Sequence, residues 1–163
     1  MPKQPPPPLE IHPPLINSSN PWASTLDDLR TLYACPSTGA VTTRTSLIHG
    51  FPHDDTKHQY IFLDPATHAV SRESPCHGPQ TSTLNSLGYS PFPLETYLNW
   101  IRTISSKQQD DDQKKTKGFK ISVTGTPSEI STCYRLISQT KSTLPPSVPL
   151  AMEIKFSNCV VYV

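Results

Sequence analysis

Twice along this chain a β-rich run gives way to a short polar loop and then to a helix that carries its own start signals. In the second instance Phe119-Lys120-Ile121-Ser122-Val123-Thr124 reads as a strand. Gly125-Thr126-Pro127-Ser128-Glu129 then supplies a turn, an N-cap, a proline at the first helical position and a capping-box carboxylate. In the first, the apolar burst Leu15-Ile16-Asn17 leads through Ser18-Ser19-Asn20-Pro21 to a helix that Ser24 or Thr25 can cap. Asp27 and Asp28 occupy its first turn, where the dipole favours them, and Leu26, Leu29, Leu32 and Tyr33 fall on one face. Strands that alternate with helices through short polar loops return to parallel neighbours by right-handed crossovers. The expected class is therefore α/β.

The remaining segments extend the pattern. Gly39-Ala40-Val41-Thr42-Thr43 is β-rich, and Ser82-Thr83-Leu84-Asn85-Ser86-Leu87-Gly88 reads as a short, half-apolar strand. A helix begins at Pro93 with Leu94, Tyr97, Leu98 and Ile101 on its buried stripe. Leu150 to Phe156 makes a fifth strand, and Tyr60-Ile61-Phe62-Leu63 is a short strand or a plug beneath a long loop. Five strands and three helices fit either a small doubly wound sheet or the first part of a barrel, and periodicity does not choose between them. At 163 residues the chain is one domain, too short for a complete (β/α)8 barrel of roughly 250 residues.

Proline accounts for 19 of the residues, against a usual share of about 5%, so much of the chain is loop. Residues 1–8, with Pro5 to Pro8, form a flexible or polyproline leader ahead of a domain spanning 9–163. Leu9 to His12 and Leu15 to Asn17 suggest a small hairpin or a lead-in strand, and Lys107 to Lys117 a solvated charged connector. A net charge of +1, from 14 basic and 13 acidic residues, gives no case for a nucleic-acid or membrane surface. Cys35, Cys76, Cys133 and Cys159 form no CxxC pair, and no apolar leader is present, which suggests a cytoplasmic protein with reduced thiols. Cys133 shares a helix stripe with Ile130, Tyr134 and Ile137 and is read as core packing.

Three stretches carry polar chemistry. Ser82–Gly88 ends in an amide, a hydroxyl and a glycine, which suits either an ordinary turn or the edge of a site for a flat polar ligand. Arg44-Thr45-Ser46 closes a strand with a guanidinium and two hydroxyls that could meet a carboxylate or phosphate, or simply solvent. His49, His53, His58, His68 and His77, with Asp54, Asp55 and Cys76, have the ligand types of a zinc site but not the spacing, so no metal is expected.

Taken in order, Pro14-Leu15-Ile16-Asn17-Ser18-Ser19, the Thr25–Leu32 helix, Gly39-Ala40-Val41-Thr42-Thr43-Arg44-Thr45, Leu84-Asn85-Ser86-Leu87-Gly88, the Tyr97-Leu98 helix, Ile121-Ser122-Val123-Thr124-Gly125 and Met152-Glu153-Ile154 resemble the soluble dihydroorotate dehydrogenases over residues 14–154. The resemblance implies an incomplete (β/α)8 TIM barrel of about the first five strands. It also implies an FMN-dependent oxidoreductase that oxidises dihydroorotate to orotate in pyrimidine synthesis, in a family that is often homodimeric. Ser18, Ser19, Asn20, Arg44 and Thr45 would lie along FMN. Arg44, Asn85, Ser86, Leu87, Gly88 and Tyr89 would hold an orotate-like ring and its carboxylate.

This chain departs from the family at several of these positions. Arg44 stands where lysine is usual, Asn20 where glycine is usual, and Tyr89 where a smaller apolar residue is usual. After Ile154 the family continues with an asparagine and a Ser-Cys-Pro-Asn loop whose cysteine is the general base. Here Lys155 replaces the asparagine, and Cys159 is one residue late, so the base role does not transfer to it. The family's later lysine and FMN-phosphate loops are not matched. The expectation is a half barrel that retains no flavin, is inactive alone and is poorly stable. The alternative is a non-enzymatic remnant that binds a partner through its open sheet edge, to which Val160-Val161-Tyr162-Val163 could add.

Overall fold

Two capping boxes and one lysine fix the ends of two of the helices, and the computed structural model describes residues 11–71, 78–106 and 117–156. The leader 1–8, Cys76, His77, nearly all of the charged connector, Cys159 and Val160–Val163 lie outside the described residues. In chain order the elements are a 3-10 turn (Pro21–Ala23), α1 (Leu26–Ala34), β1 (Ala40–Thr42), β2 (Tyr60–Leu63), β3 (Val70–Ser71), β4 (Ser82–Asn85), α2 (Leu94–Ser106), β5 (Gly118–Val123), α3 (Pro127–Thr143) and β6 (Leu150–Ile154).

Thr25 caps α1, its Oγ1 accepting from Asp28 N at 3.1 Å while Asp28 Oδ2 accepts from Thr25 N at 2.9 Å. Thr126 and Glu129 make the same reciprocal pair at the start of α3. Each box satisfies donors that a helix leaves open at its first turn. At the other end of α1, Lys117 Nζ donates to the carbonyls of Leu32 and Cys35 and to Thr38 Oγ1, holding the helix terminus against the start of β5.

The parallel sheet has the order β1-β5-β6, and Ile16 adds a parallel bridge to Ala40 on the far side of β1. Four segments thus stand side by side in sequence order, all running the same way. Their register is fixed by Val41 opposite Phe119 and by Ile121 opposite Met152. Between the pairs Thr42–Lys120 and Ser46–Val123, three residues on the first strand face two on β5. This is a β-bulge, which re-aims side chains at the end of a strand. Ser122 N, facing the bulge, donates to Thr43 Oγ1 at 3.1 Å.

Ser82–Asn85 does not join this sheet, contrary to the reading of five strands whose ends all point the same way. It pairs antiparallel with β2, Tyr60 opposite Asn85 and Leu63 opposite Ser82, and β2 pairs in turn with β3. A four-residue, half-apolar strand fits any ladder that offers a partner, and the nearby Tyr60–Leu63 burst supplies one. The insert lies between β1 and α2 in sequence, so β1 pairs directly with β5. Residues 11–12 form no strand, and Leu15–Asn17 contributes only the Ile16 bridge. The described residues make a mixed α/β fold without a closed barrel.

One apolar cluster joins the sheet to all three helices. Val41, Phe119, Ile121 and Val123 from the sheet meet Leu29, Leu94, Tyr97, Leu98, Ile101, Cys133 and Ile137. Tyr33 stacks on Phe119 with ring centroids 5.0 Å apart. The stripe Leu94, Tyr97, Leu98 and Ile101 is buried as read. Leu29, Cys133 and Ile137 are enclosed, with Leu26, Leu32, Tyr33 and Ile130 packed partly buried beside them. Tyr134, read as part of the α3 stripe, instead points to solvent at 62% exposure. The helices therefore cover one face, while Lys120 and Ser122 alternate onto the other. No described helix is long and apolar enough to cross a membrane.

Ile121 sits at the centre of the cluster with no exposure. Ile121→Ala is expected to lower unfolding free energy by about 2–5 kcal/mol. Thr126→Ala, which removes one cap, should cost about 1 kcal/mol. Urea denaturation of the two variants checks the order, and equal losses would contradict the assigned core.

Candidate functional site

The carboxyl ends of the parallel segments bring Asn17–Asn20, Arg44–Ser46, Thr124 and Lys155 to one edge. Asn17 builds part of that edge. Its Nδ2 donates to Thr42 O at 2.7 Å and its Oδ1 accepts from Thr42 N at 2.8 Å, so a side-chain amide continues the ladder where the first segment leaves it. Asn20 stiffens the next turn, its Oδ1 accepting from Trp22 N at 2.8 Å and its Nδ2 donating to Ser18 O at 2.7 Å.

Across the strands runs a row of side chains. Ser19 Oγ lies 2.9 Å from Thr45 Oγ1, which lies 2.9 Å from Ser122 Oγ. Ser122 Oγ donates to Glu153 Oε1 at 2.9 Å, and Glu153 Oε2 pairs with Lys120 Nζ. The bulge explains why Thr45 reaches Ser122, because without the extra residue Thr45 would stand opposite Val123 and face the helices. Burial pushes the Glu153 pKa up, but hydrogen bonds from Lys120 and Ser122 and the charges of Lys120 and Lys155 outweigh it and hold the carboxyl below its ordinary value. On the same face, opposite Lys120, Thr42 Oγ1 is fully buried with no hydrogen-bond partner.

Arg44 is 8% exposed and turns away from the row. Its Nη1 donates to Ser24 Oγ at 3.1 Å and its Nη2 to Gly88 O at 2.7 Å. Burial lowers its pKa and the nearby Tyr97 opposes that, while an arginine remains a cation throughout the physiological range. Tyr97 itself is raised by burial, its hydroxyl donating to Ser24 O at 3.3 Å and meeting Ser90 Oγ at 2.8 Å. Ser90 N donates to Thr45 O at 2.8 Å. The end of the β4 loop is thus tied to the sheet edge at Gly88 and Ser90.

The rest of that loop serves the insert. Asn85 Oδ1 accepts from Leu87 N at 3.2 Å, an Asx turn. Ser86 Oγ donates to Lys57 O and accepts from Gln59 N at 3.2 Å. Asn85 and Ser86 line a cavity of about 310 Å³ against Tyr60 and Ile61. Leu87 lines another of about 350 Å³ with His53, His58 and Tyr60. Tyr89 is half-buried, its ring edge-on to Phe51 at 6.1 Å. A Cβ on Gly88 would overlap the Phe51 ring, so glycine is required there by packing.

Of the residues expected to form one site, the structure joins Ser19 to Thr45 and Arg44 to Gly88. It sets Asn85, Ser86 and Leu87 on the insert's own cavities. Cys159 lies outside the described residues. The row also contains Lys120, Ser122 and Glu153, which the sequence reading treated only as strand residues. Polar residues at alternate positions of an otherwise apolar strand, 120 and 122, were the available signal. His53 and His58 lie with ring centroids 5.2 Å apart, and no group of three or more histidine, cysteine, aspartate or glutamate side chains among the described residues is placed to hold a metal. Comparison with protein-family models and with curated proteins returns no match.

Gly88→Ala should destabilise the fold by about 1–3 kcal/mol through overpacking, and Phe51→Ala added to it should recover part of the loss, as read by thermal melting. Glu153 has a folded pKa below its unfolded value, so its contribution is complete above about pH 4.5 and is lost as pH falls through the folded pKa. Denaturant midpoints measured from about pH 6 down to pH 3 should therefore fall more steeply for the native chain than for Glu153→Gln. Parallel slopes would count against the coupling.

Proposed function

We propose that the chain forms the opening strands of an incomplete (β/α)8 barrel and belongs to a flavin-dependent oxidoreductase of the soluble dihydroorotate dehydrogenase type. The observation that carries this reading is the run of four parallel segments in sequence order with all three α-helices of the described residues on one face. A doubly wound sheet would place helices on both faces, whereas a barrel wall places them all outside. Ligands of such barrels sit at the carboxyl ends of the strands, which is where Ser19, Arg44 and Thr45 stand.

The side chains at this edge suit the polar edge of a flat ring. Ser19 and Thr45 offer hydroxyls at the rim, and the unpartnered Thr42 Oγ1 below them is a buried group with hydrogen-bonding capacity left over. Among the described residues nothing cradles a phosphate. Ser19, Arg44 and Thr45 are the residues that would lie along FMN, which when bound would supply hydride-accepting chemistry at this edge. The chain's own contribution is to orient the ring edge through the hydroxyl row and to keep a buried cation, Arg44, beside the Gly88 loop. Arg44 has five N–H donors, so its two contacts leave others for a ligand carboxylate.

A second reading follows from β6, whose outer edge has no strand neighbour among the described residues. Such an edge accepts a strand from a partner, including another copy of the chain.

Orotate titrated into isotope-labelled protein separates the two. The enzyme reading expects amide shifts at Ser19, Thr45, Gly88 and Tyr89 and, with FMN and an electron acceptor added, no dihydroorotate oxidation by these 163 residues alone. The partner reading expects no shift with orotate and concentration-dependent shifts along Leu150–Ile154. Absence of any orotate response would remove the enzyme reading, and turnover would remove its claim that further strands are needed.

A further inference from the structure

The hydroxyl row has a direction, and it follows from counting protons. An ionised carboxylate only accepts hydrogen bonds, and a serine or threonine hydroxyl has one proton to give. Glu153 is paired with Lys120, so its Oε1 accepts and Ser122 must spend its single proton there. Ser122 Oγ is then only an acceptor towards Thr45, which makes Thr45 the donor of the 2.9 Å contact between them. Thr45 has no second proton, so Ser19 is the donor of the next contact. Every hydroxyl points towards Glu153, and lone pairs are left facing outward at the Ser19 end. Ser122 has no exposure and Thr45 3%, so water has little access with which to scramble this order.

We propose that Glu153 is a positioning residue that fixes the hydrogen-bond polarity of the strand-edge rim, so that the rim presents acceptors and selects ligand rings that offer an N–H. This rests on reading the carboxyl edge as the ligand site, and it adds which edge of a flat heterocycle faces Ser19. An imide or lactam N–H meets the Ser19 end of the row favourably, while a ring nitrogen or carbonyl in the same place finds no proton free on Ser19, Thr45 or Ser122. Lys120 has a separate role. It holds the carboxylate in place, but the direction of the row comes from the carboxylate's lack of a proton.

The Glu153→Gln variant tests the distinction, because an amide beside Lys120 must present its oxygen to the ammonium and its NH2 to Ser122. Ser122 then donates to Thr45, Thr45 to Ser19, and Ser19 outward. Lys120→Met leaves a carboxylate in place and keeps the original order, even if the variant is less stable. Neutron diffraction from crystals grown in D2O reads the deuterons directly. The expected result is deuterons on Ser122 towards Glu153 and on Thr45 towards Ser122 in the native chain and in Lys120→Met, with reversal in Glu153→Gln. A native Ser122 deuteron pointing at Thr45, or an unchanged order in Glu153→Gln, overturns the proposal.

Fluorescence titration with riboflavin and N3-methylriboflavin supplies the ligand arm. The native chain should favour the N–H form about three- to tenfold, the worth of one neutral hydrogen bond, and Glu153→Gln should abolish that preference. A native preference for the methylated flavin overturns the selectivity. If neither flavin binds while the deuterons lie in the stated order, the flavin reading of the site fails and the polarity assignment stands.

Discussion

The double pairing of β5 is the constraint on which the structure depends. It is hydrogen-bonded to β1 on one edge and to β6 on the other, and it sends Phe119, Ile121 and Val123 into the core. Phe119, Ile121 and Val123 are each at most 1% exposed. Because side chains alternate along a strand, committing those three to the helices commits Lys120 and Ser122 to the opposite face. The polar row is therefore a geometric consequence of building the core. A slip of one residue in either ladder would exchange the two sets and bury a lysine among leucines.

The bulge between Thr42 and Ser46 adjusts that consequence at the sheet's edge. With a regular ladder Thr45 would share a face with Val123 and meet the apolar cluster. One extra residue rotates it onto the face of Ser122, and Thr43 Oγ1 accepts the backbone N–H that the irregularity exposes. Glu153 and Lys120 then stabilise the row from below. Their side chains are only about a third and a quarter exposed, so the pair is less screened than a surface ion pair. The Ser122 hydroxyl supplies the hydrogen bond that such a carboxylate needs once it has left water.

Helices and caps were legible in the sequence because their signals are local. Thr126 with Glu129 needs only three residues of separation, and the Leu94–Ile101 stripe needs two turns. The first cap is narrowed by sequence to Ser24 or Thr25, and the structure chooses Thr25. Parallel pairing among the segments at 16, 40–46, 118–124 and 150–154 was legible from the strand, loop and helix order. The place of Ser82–Asn85 was not, because a partner for so short a strand is decided by what lies beside it in space, and Tyr60–Leu63 was read apart from it. Arg44 was legible as a strand-end cation, but its commitment to Ser24 and Gly88 depends on contacts 20 and 44 residues away. Lys120 and Glu153 escaped notice because a charge inside a strand looks like a solvated face until the register puts the two side by side.

Arginine at position 44 gains a physical reason from these contacts. Lysine would place a point charge on a flexible stem, whereas the planar guanidinium holds two acceptors in fixed directions at once. One is Ser24 Oγ, which itself donates to Pro21 O at 2.6 Å in the turn ahead of α1, and the other is the carbonyl of Gly88. Gly88 in turn lies against Phe51, where no larger residue fits. A single cation thereby fastens the antiparallel insert to both the sheet edge and the start of α1. Among the described residues the insert has two short ladders of its own, too little to fix its orientation on the sheet. Compared with a lysine at this position, Arg44 gives up freedom of reach for a rigid frame, and any carboxylate placed there would be met by the guanidinium's remaining N–H groups rather than by a mobile ammonium.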